Sequence, residues 1–213
     1  MKIALLGAPG SGKTTIARKF NRGRSYWHVV DGYVEKLQRR TGFAFGADAN
    51  FAQNLIVITE RWMLEWEFYK NKLNTITCGT AYESFIYSAL QTYFVSATET
   101  ELVRDQRFLQ VMGTFFSTLA HVYYDYDALF FLPYDALKTE SEQHSWHGVL
   151  NAKIPEVLAG SGKQAIVLTG TDREKVNTIK TTIKEIQEYY DEVGYPTVDP
   201  EASETALDDG PGL

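Results

Sequence analysis

Short apolar runs alternate along the chain with longer stretches of helical periodicity. KIALLG (2–7) is an apolar run ending on glycine, the pattern of a buried central strand. After the following loop, TTIARKFNR places Ile16, Ala17 and Phe20 on one helical face. YWHVVD (26–31) reads as a second strand ending on a carboxylate, LNTITCG (73–79) as a third, DALFFLP (127–133) as a fourth stopped by proline, and QAIVLTG (164–170) as a fifth. Between strands two and three, DGYVEKLQRR predicts a short helix and TGFAFGADAN a connector. A long helix is then expected from Phe51 to Lys70, with Leu55, Ile58, Trp62 and Trp66 recurring every three or four residues. AYESFIYSALQTYF and ELVRDQRFLQVMGTFFSTLAHVYY predict two more helices. TDREKVNTIKTTIKEIQEYYDEV predicts a closing amphipathic one, with Asp172 and Glu174 near its positive N-terminal end. Strands separated by helices throughout give an α/β chain whose parallel sheet is covered on both faces.

This pattern describes one domain over residues 1–194, without an internal repeat. From Gly194 onward proline, acids and small residues replace the periodicity, so residues 195–213 are expected to form a disordered acidic tail. The tail also explains the charge. The net −6 includes Asp199, Glu201, Glu204, Asp208 and Asp209, and residues 1–198 are close to neutral. A strongly basic nucleic-acid surface is therefore not expected. The chain's single cysteine, Cys78, excludes an internal disulfide and an all-cysteine metal site. The N-terminal apolar run is too short for a signal peptide, and no segment approaches the roughly 20 apolar residues of a membrane span. The expectation is a cytosolic protein with no membrane partner.

The candidate chemistry lies in GAPGSGKT, residues 7–14, which matches G-x-x-x-x-G-K-[ST] between a predicted strand and a predicted helix. Glycines at 7, 10 and 12 let the backbone curl so that successive amides point inward, and the following helix adds its positive end. Lys13 reaches the β and γ phosphates, and the Thr14 hydroxyl is a Mg²⁺ ligand. Gly7, Ala8, Pro9, Gly10, Ser11, Gly12, Lys13, Thr14 and Thr15 are the expected nucleotide-binding residues. GSGK recurs at 160–163, but Val157 replaces the leading glycine, Gln164 follows the lysine, and the segment runs into a strand; it reads as a turn.

On GAPGSGKTT, the strand YWHVVD ending in an acid, and YDYDALFFLP, the chain resembles the nucleoside- and nucleotide-kinase group of P-loop proteins, particularly the small kinase domains of nicotinamide riboside kinases. The likeness covers roughly residues 1–190. It implies a P-loop NTPase three-layer sandwich with a five-stranded parallel sheet in the order 2-3-1-4-5, ATP as phosphoryl donor, and a lid at about 134–162.

In such kinases a carboxylate at the place of Asp31 takes the acceptor proton or holds Mg²⁺ through water; Asp31 is equally suited to cap the helix DGYVEKL. Related kinases often end the third strand on an acidic triplet. Cys78-Gly79-Thr80 stands there instead, and cysteine is a poor ligand for a hard cation. Glu83 is the nearest substitute. Arg104 and Arg107 are three apart on one predicted helix and, with Tyr33, are candidate acceptor contacts; a solvated helix face is the plainer reading of the arginines. Tyr33, Phe43, Phe45, Phe51, Trp62 and Trp66 fall where such kinases build the acceptor pocket, and most are expected to be core. The span 134–162 contains no arginine, leaving Lys138, His144, His147 and Lys153 as lid cations, with QHSWH as the moving piece. Gly170 and Asp172 fall where the group packs adenine.

The reading is an ATP- and Mg²⁺-dependent kinase acting on a small nucleoside- or nucleotide-like acceptor, with Lys13 and Asp31 as catalytic groups and Thr14, Asp31 and Glu83 around the metal. One alternative acceptor is DNA carrying a modified base such as 5-hydroxymethyluracil, in a bacteriophage hypermodification pathway. RGR (22–24) and QRR (38–40), flanking Asp31, hint at a basic groove for it. The other alternative is a nucleotide-binding regulatory switch with little transferase activity, for which the missing acid at Cys78 argues.

Overall fold

The computed structural model describes residues 1–24, 26–43, 49–70, 74–95, 106–107, 110, 114, 126–135, 145–160 and 164–195. In chain order these form β1 (Lys2–Leu6), α1 (Lys13–Asn21), β2 (His28–Val30), α2 (Tyr33–Thr41), α3 (Phe51–Lys70), β3 (Thr75–Cys78), α4 (Ala81–Val95), β4 (Ala128–Phe131), α5 (Trp146–Gly160), β5 (Ile166–Val167) and α6 (Asp172–Val193).

The five strands make one parallel sheet in the order β2-β3-β1-β4-β5. Leu5 pairs with Cys78 on one side and with Phe130 on the other, so the ends of the three inner strands lie level at one edge of the sheet. Side chains alternate across a strand, and the two faces of β1 feed two cores. Ile3 and Leu5 pack with Ile16 and Phe20 of α1 and with Val176, Ile179 and Ile183 of α6. Ala4 and Leu6 pack on the opposite face with Ile86 of α4 and with Leu150, Ile154 and Leu158 of α5. These two cores define the three layers. Phe20 meets Trp27 edge-on at 5.1 Å, which ties α1 to the start of β2.

The elements are shorter than the apolar runs that predict them. The fifth strand reduces to Ile166–Val167, both exposed at the sheet's edge. In the long helix, Ile58 is fully buried and Leu55 and Trp62 pack beside it, but Trp66 is 39 % exposed and leaves the expected stripe. Its stripe faces α4 rather than the sheet: Ile58 packs with Ala81 and Phe85, so α3 and α4 form a helical layer beside the site. The helix predicted over ELVRDQRFLQVMGTFFSTLAHVYY falls mostly outside the described residues, as do residues 196–213 of the expected tail. Tyr195 still belongs to the fold, stacked on Tyr190 at 5.0 Å.

Of the span 134–162 expected as the lid, residues 134–135 and 145–160 are described. Residues 146–160 are α5, whose Leu150 and Ile154 are fully buried against the sheet. Trp146 packs on Tyr87 at 6.5 Å. Trp146 and His147 of QHSWH thus open a helix that packs on the sheet through its apolar face, while Gln143 and His144 lie outside the described residues. Residues 136–144 and 161–163 lie outside the described residues.

Candidate active site

The chain leaves β1 at Leu6 and turns through Gly7–Gly12 into α1. Gly7 sits at φ 147°, and a Cβ there would lie 2.4 Å from the Leu132 carbonyl oxygen and 2.8 Å from Ser11 Oγ; only glycine lets the loop pass so close to the end of β4. Gly12 caps α1 in the left-handed region, so the helix begins at Lys13 with its free amides directed at the loop.

A cleft of about 550 Å³ opens from this loop and runs between α2, α3 and α4. Pro9–Thr15 line one end. Gly32, Tyr33, Val34, Glu35 and Gln38 from the start of α2 line the wall, with Asn54, Val57 and Arg61 from α3. Cys78, Gly79, Thr80, Glu83, Ser84 and Tyr87 complete it from the end of β3 and the first turns of α4. Gly7 and Ala8 lie beneath, their carbonyls accepting hydrogen bonds from Lys13 Nζ, the second at 3.1 Å.

Lys13 is also 3.4 Å from Glu83 Oε1. Glu83 is 3 % exposed and has two differently engaged oxygens. Oε1 accepts from the Tyr87 hydroxyl, which also lies 2.8 Å from the Gly7 carbonyl. Oε2 is buried and has no hydrogen-bond partner among the described residues. Burial, reinforced by the Glu83 charge, pushes the Tyr87 phenol well above its ordinary pKa, so the hydroxyl remains a donor.

Cys78 ends β3 beside the Thr14 hydroxyl, at the position where the resemblance leads one to expect an acid. Burial raises its thiol to about pKa 11, with the nearby Asp31 charge adding to the shift and the Thr14 hydrogen bond opposing it. Sulfur is in any case too soft a donor for Mg²⁺.

Two residues that periodicity concealed organise this turn. Arg61 of α3 is 5 % exposed, and its Nη2 donates to the carbonyls of Cys78 and Gly79. Four residues on, Glu65 lies 3.5 Å from Arg61 Nε and accepts from the Ala81 amide at 2.7 Å, at the start of α4. Burial raises Glu65 to about pKa 7, with Arg61 and the Ala81 amide opposing the shift. The i,i+4 spacing of Arg61 and Glu65 was visible, but on a surface helix that spacing signals only an exposed pair.

The remaining candidates divide clearly. Tyr33 lines the cleft and donates to Glu60 at 2.9 Å; burial and that carboxylate raise its phenol. Asp31 stands at the end of β2, but its Oδ2 accepts from Arg18 Nε at 2.8 Å, and it borders a neighbouring groove with Arg18, Lys19 and Arg22 rather than the cleft wall. Glu35, two positions into α2, is the carboxylate that the cleft wall carries there. Asp172 pairs with Lys19 at 2.5 Å, joining α6 to α1; neither it nor Gly170 lines the cleft. Arg107 is exposed and away from the cleft lining. His147 stacks on Tyr134 at 5.1 Å, and the Tyr134 ring would lie 3.3 Å from a Cβ at Gly10, so this pair backs the phosphate loop. Lys153 pairs with Glu156 on the surface. Arg104, Lys138, His144 and Phe45, and the Phe51 side chain, lie outside what the structure describes. Trp62 packs in the α3–α4 core.

The hard oxygens of Thr14 and Glu83 in the cleft lining suit Mg²⁺, and Glu83 Oε2, without a hydrogen-bond partner among the described residues, is the observation that fits one; Asp31 would have to leave Arg18 to join them. Among the described residues no cluster of three or more His, Cys, Asp or Glu side chains forms a metal cage. A cage is not required, since Mg²⁺ is commonly held by one or two carboxylates together with substrate phosphates. Among the described residues no helix is long and apolar enough to cross a membrane.

No family model and no curated protein matches the chain. Solved structures do. Deoxyadenosine kinase from M. mycoides, with the products dCMP and dCDP, aligns over 87 % of this chain and all of its own at 15 % identity and TM-score 0.56. The same enzyme with bound dCTP gives TM-score 0.57 at 14 % identity, again over 87 % of this chain and all of its own. A NadR protein in complex with NR aligns over 92 % of this chain but only 52 % of its own, at 12 % identity and TM-score 0.55. The strand order, the glycine loop leading into α1 and these neighbours together show that the chain shares the fold of the deoxyadenosine kinase and NadR structures.

Proposed function

We propose that the chain is an ATP- and Mg²⁺-dependent kinase that transfers the γ-phosphoryl group to a hydroxyl of a nucleoside-like acceptor. The carrying observation is that the phosphate loop and the α2–α3 wall enclose one continuous cleft, which can hold donor and acceptor side by side. Among the described lining residues the cations are Lys13 and Arg61. Lys13 belongs to the donor, and Arg61 is engaged by two carbonyls and Glu65. The wall offers an acceptor the Gln38 amide, the Tyr33 ring and the Glu35 carboxylate. Such a wall favours an uncharged base and sugar over an acceptor bringing its own phosphate, which calls for arginine.

The loop amides and Lys13 grip the triphosphate, and Thr14 offers its hydroxyl to the metal. Bound Mg²⁺ would neutralise charge on the β and γ oxygens. A carboxylate at the β2–α2 junction accepts the proton of the attacking hydroxyl. Asp31 does so on leaving Arg18; Glu35 is its competitor from within the cleft. Labelled ATP with a panel of nucleosides, nucleotides and hydroxymethylated DNA tests the reading, with transfer expected to nucleosides. Asp31→Asn should lower kcat by roughly 10²-fold or more, and Glu35→Gln by much less. The reverse order would move the base to Glu35, and a panel with no phosphorylated acceptor would leave a regulatory switch.

One observation favours DNA as a second reading. The groove beside Asp31, about 520 Å³, is lined by Arg18, Lys19 and Arg22. Phosphorylation of the DNA substrate with steep salt dependence, and of no free nucleoside, would establish it.

A further inference from the structure

The cleft contains a buried carboxylate with an idle oxygen, five residues past the position where an acid was expected. Glu83 Oε1 is engaged by Tyr87 and faces Lys13 at 3.4 Å, while Oε2 has no hydrogen-bond partner among the described residues. Leaving a buried carboxylate oxygen unsatisfied is costly unless a ligand completes it. Cys78 does not complete a Mg²⁺ site, because sulfur is too soft a donor for this hard cation. We propose that Glu83 is the metal-organising acid of this chain, and that it exchanges partners. It pairs with Lys13 in the free protein and turns to a cation-bound water when Lys13 moves to the phosphates.

Four features of the surroundings suit that exchange. Lys13 is held by two neutral loop carbonyls as well as by Glu83, so Glu83 is the one charge whose partner must be replaced when the ammonium is drawn toward phosphate. Tyr87 bridges Glu83 and the Gly7 carbonyl and fixes one carboxylate oxygen while the other stays available. The Glu83 amide accepts no movement either: it donates to Thr80 Oγ1 at 3.0 Å, the first-turn cap of α4. Placement is fixed further by Gly79, where a Cβ would come within 2.8 Å of Glu83 Oε2. A side chain on residue 79 would therefore occupy the space beside the free oxygen.

This inference rests on the nucleotide reading of the loop but not on phosphoryl transfer, so a binding measurement separates them. A fluorescent ATP analogue is titrated with excess Mg²⁺ and with chelator, giving the factor by which the metal tightens nucleotide binding. In Glu83→Gln that factor should fall about tenfold or more, as for other outer-sphere metal partners. Chelated binding should hold or tighten, because Lys13 loses a competitor. Glu83→Asp, which retains the charge and withdraws the oxygen, should lose part of the factor and keeps the test open if the glutamine variant does not fold. An unchanged factor in both variants overturns the proposal, as does equal loss of chelated and metal-supported binding, which would mark Glu83 as support for the loop alone. Failure of the unmodified protein to bind the analogue would instead sink the nucleotide reading. Metal-dependent binding with no acceptor phosphorylated would sink only the transfer reading and leave Glu83 in place.

Discussion

Cys78 carries the sharpest consequence at the scale of one residue. It is the chain's single cysteine, it is 8 % exposed, and burial lifts its thiol to about pKa 11. Thiolate is the reactive form, so at pH 8 the folded protein should react with a disulfide reagent more than about tenfold more slowly than the chain in denaturant. Absorbance of the released thiol measures this, and equal rates would contradict the placement beside Thr14. The position also shows where sequence reading stopped. The loop glycines, Lys13 and Thr14 were legible because their spacing is dictated by phosphate geometry. Cys78 was legible only as a missing acid. That its neighbour Glu83 has a free oxygen depends on how α4 is rotated about its axis, and no local pattern encodes that rotation.

At the scale of the element, α3 is held to the β3–α4 turn by Arg61 and Glu65. Glu65 has a folded pKa near 7 against an ordinary value of 4.5, raised chiefly by burial. The folded state therefore holds this proton more tightly than the unfolded chain does. Its contribution is fully present below about pH 4.5 and is lost as pH rises through 7, an effect of about 3 kcal/mol at most. Denaturant unfolding between pH 5 and 8 should show that downward slope, and Glu65→Gln should flatten it; an unaltered slope in the variant would assign it elsewhere. This pair was hidden because α3 reads as an amphipathic helix whose charged positions face solvent. Packing of α4 turns two of those positions inward. The same blindness affected α5: apolar spacing at Leu150, Ile154 and Leu158 was subsumed in an expected lid, although that spacing is what buries it.

For the whole molecule, the sheet order followed from resemblance, and the layering from strands separated by helices. Both reappear in the structure because a parallel sheet buried on two faces leaves few ways to connect its strands. The domain scale also gives a simple test of the loop. ATP with Mg²⁺ at a hundred times its dissociation constant should stabilise the protein by about 2.7 kcal/mol. For about 200 residues that corresponds to a rise in Tm of roughly 5–10 °C. Gly7→Ala should abolish the rise, since its Cβ would collide with the Leu132 carbonyl oxygen. A thermal scan in which Gly7→Ala retains the full shift would remove the nucleotide from this loop.

The sheet is also graded from centre to margin. β1 carries the phosphate loop and is paired on both sides, whereas β2, which leads to Asp31 and α2, is a three-residue strand paired on one side. Amide exchange should accordingly be slowest in β1 and much faster in β2 and β5. On the proposed reading, the half of the cleft that would grip phosphate is built on the strand expected to persist longest, and the half that would face the acceptor on a margin expected to open cheaply. Such a division would let one side keep its geometry while the other adjusts to acceptors of different shape, making tolerance among acceptors a property of the sheet's edge.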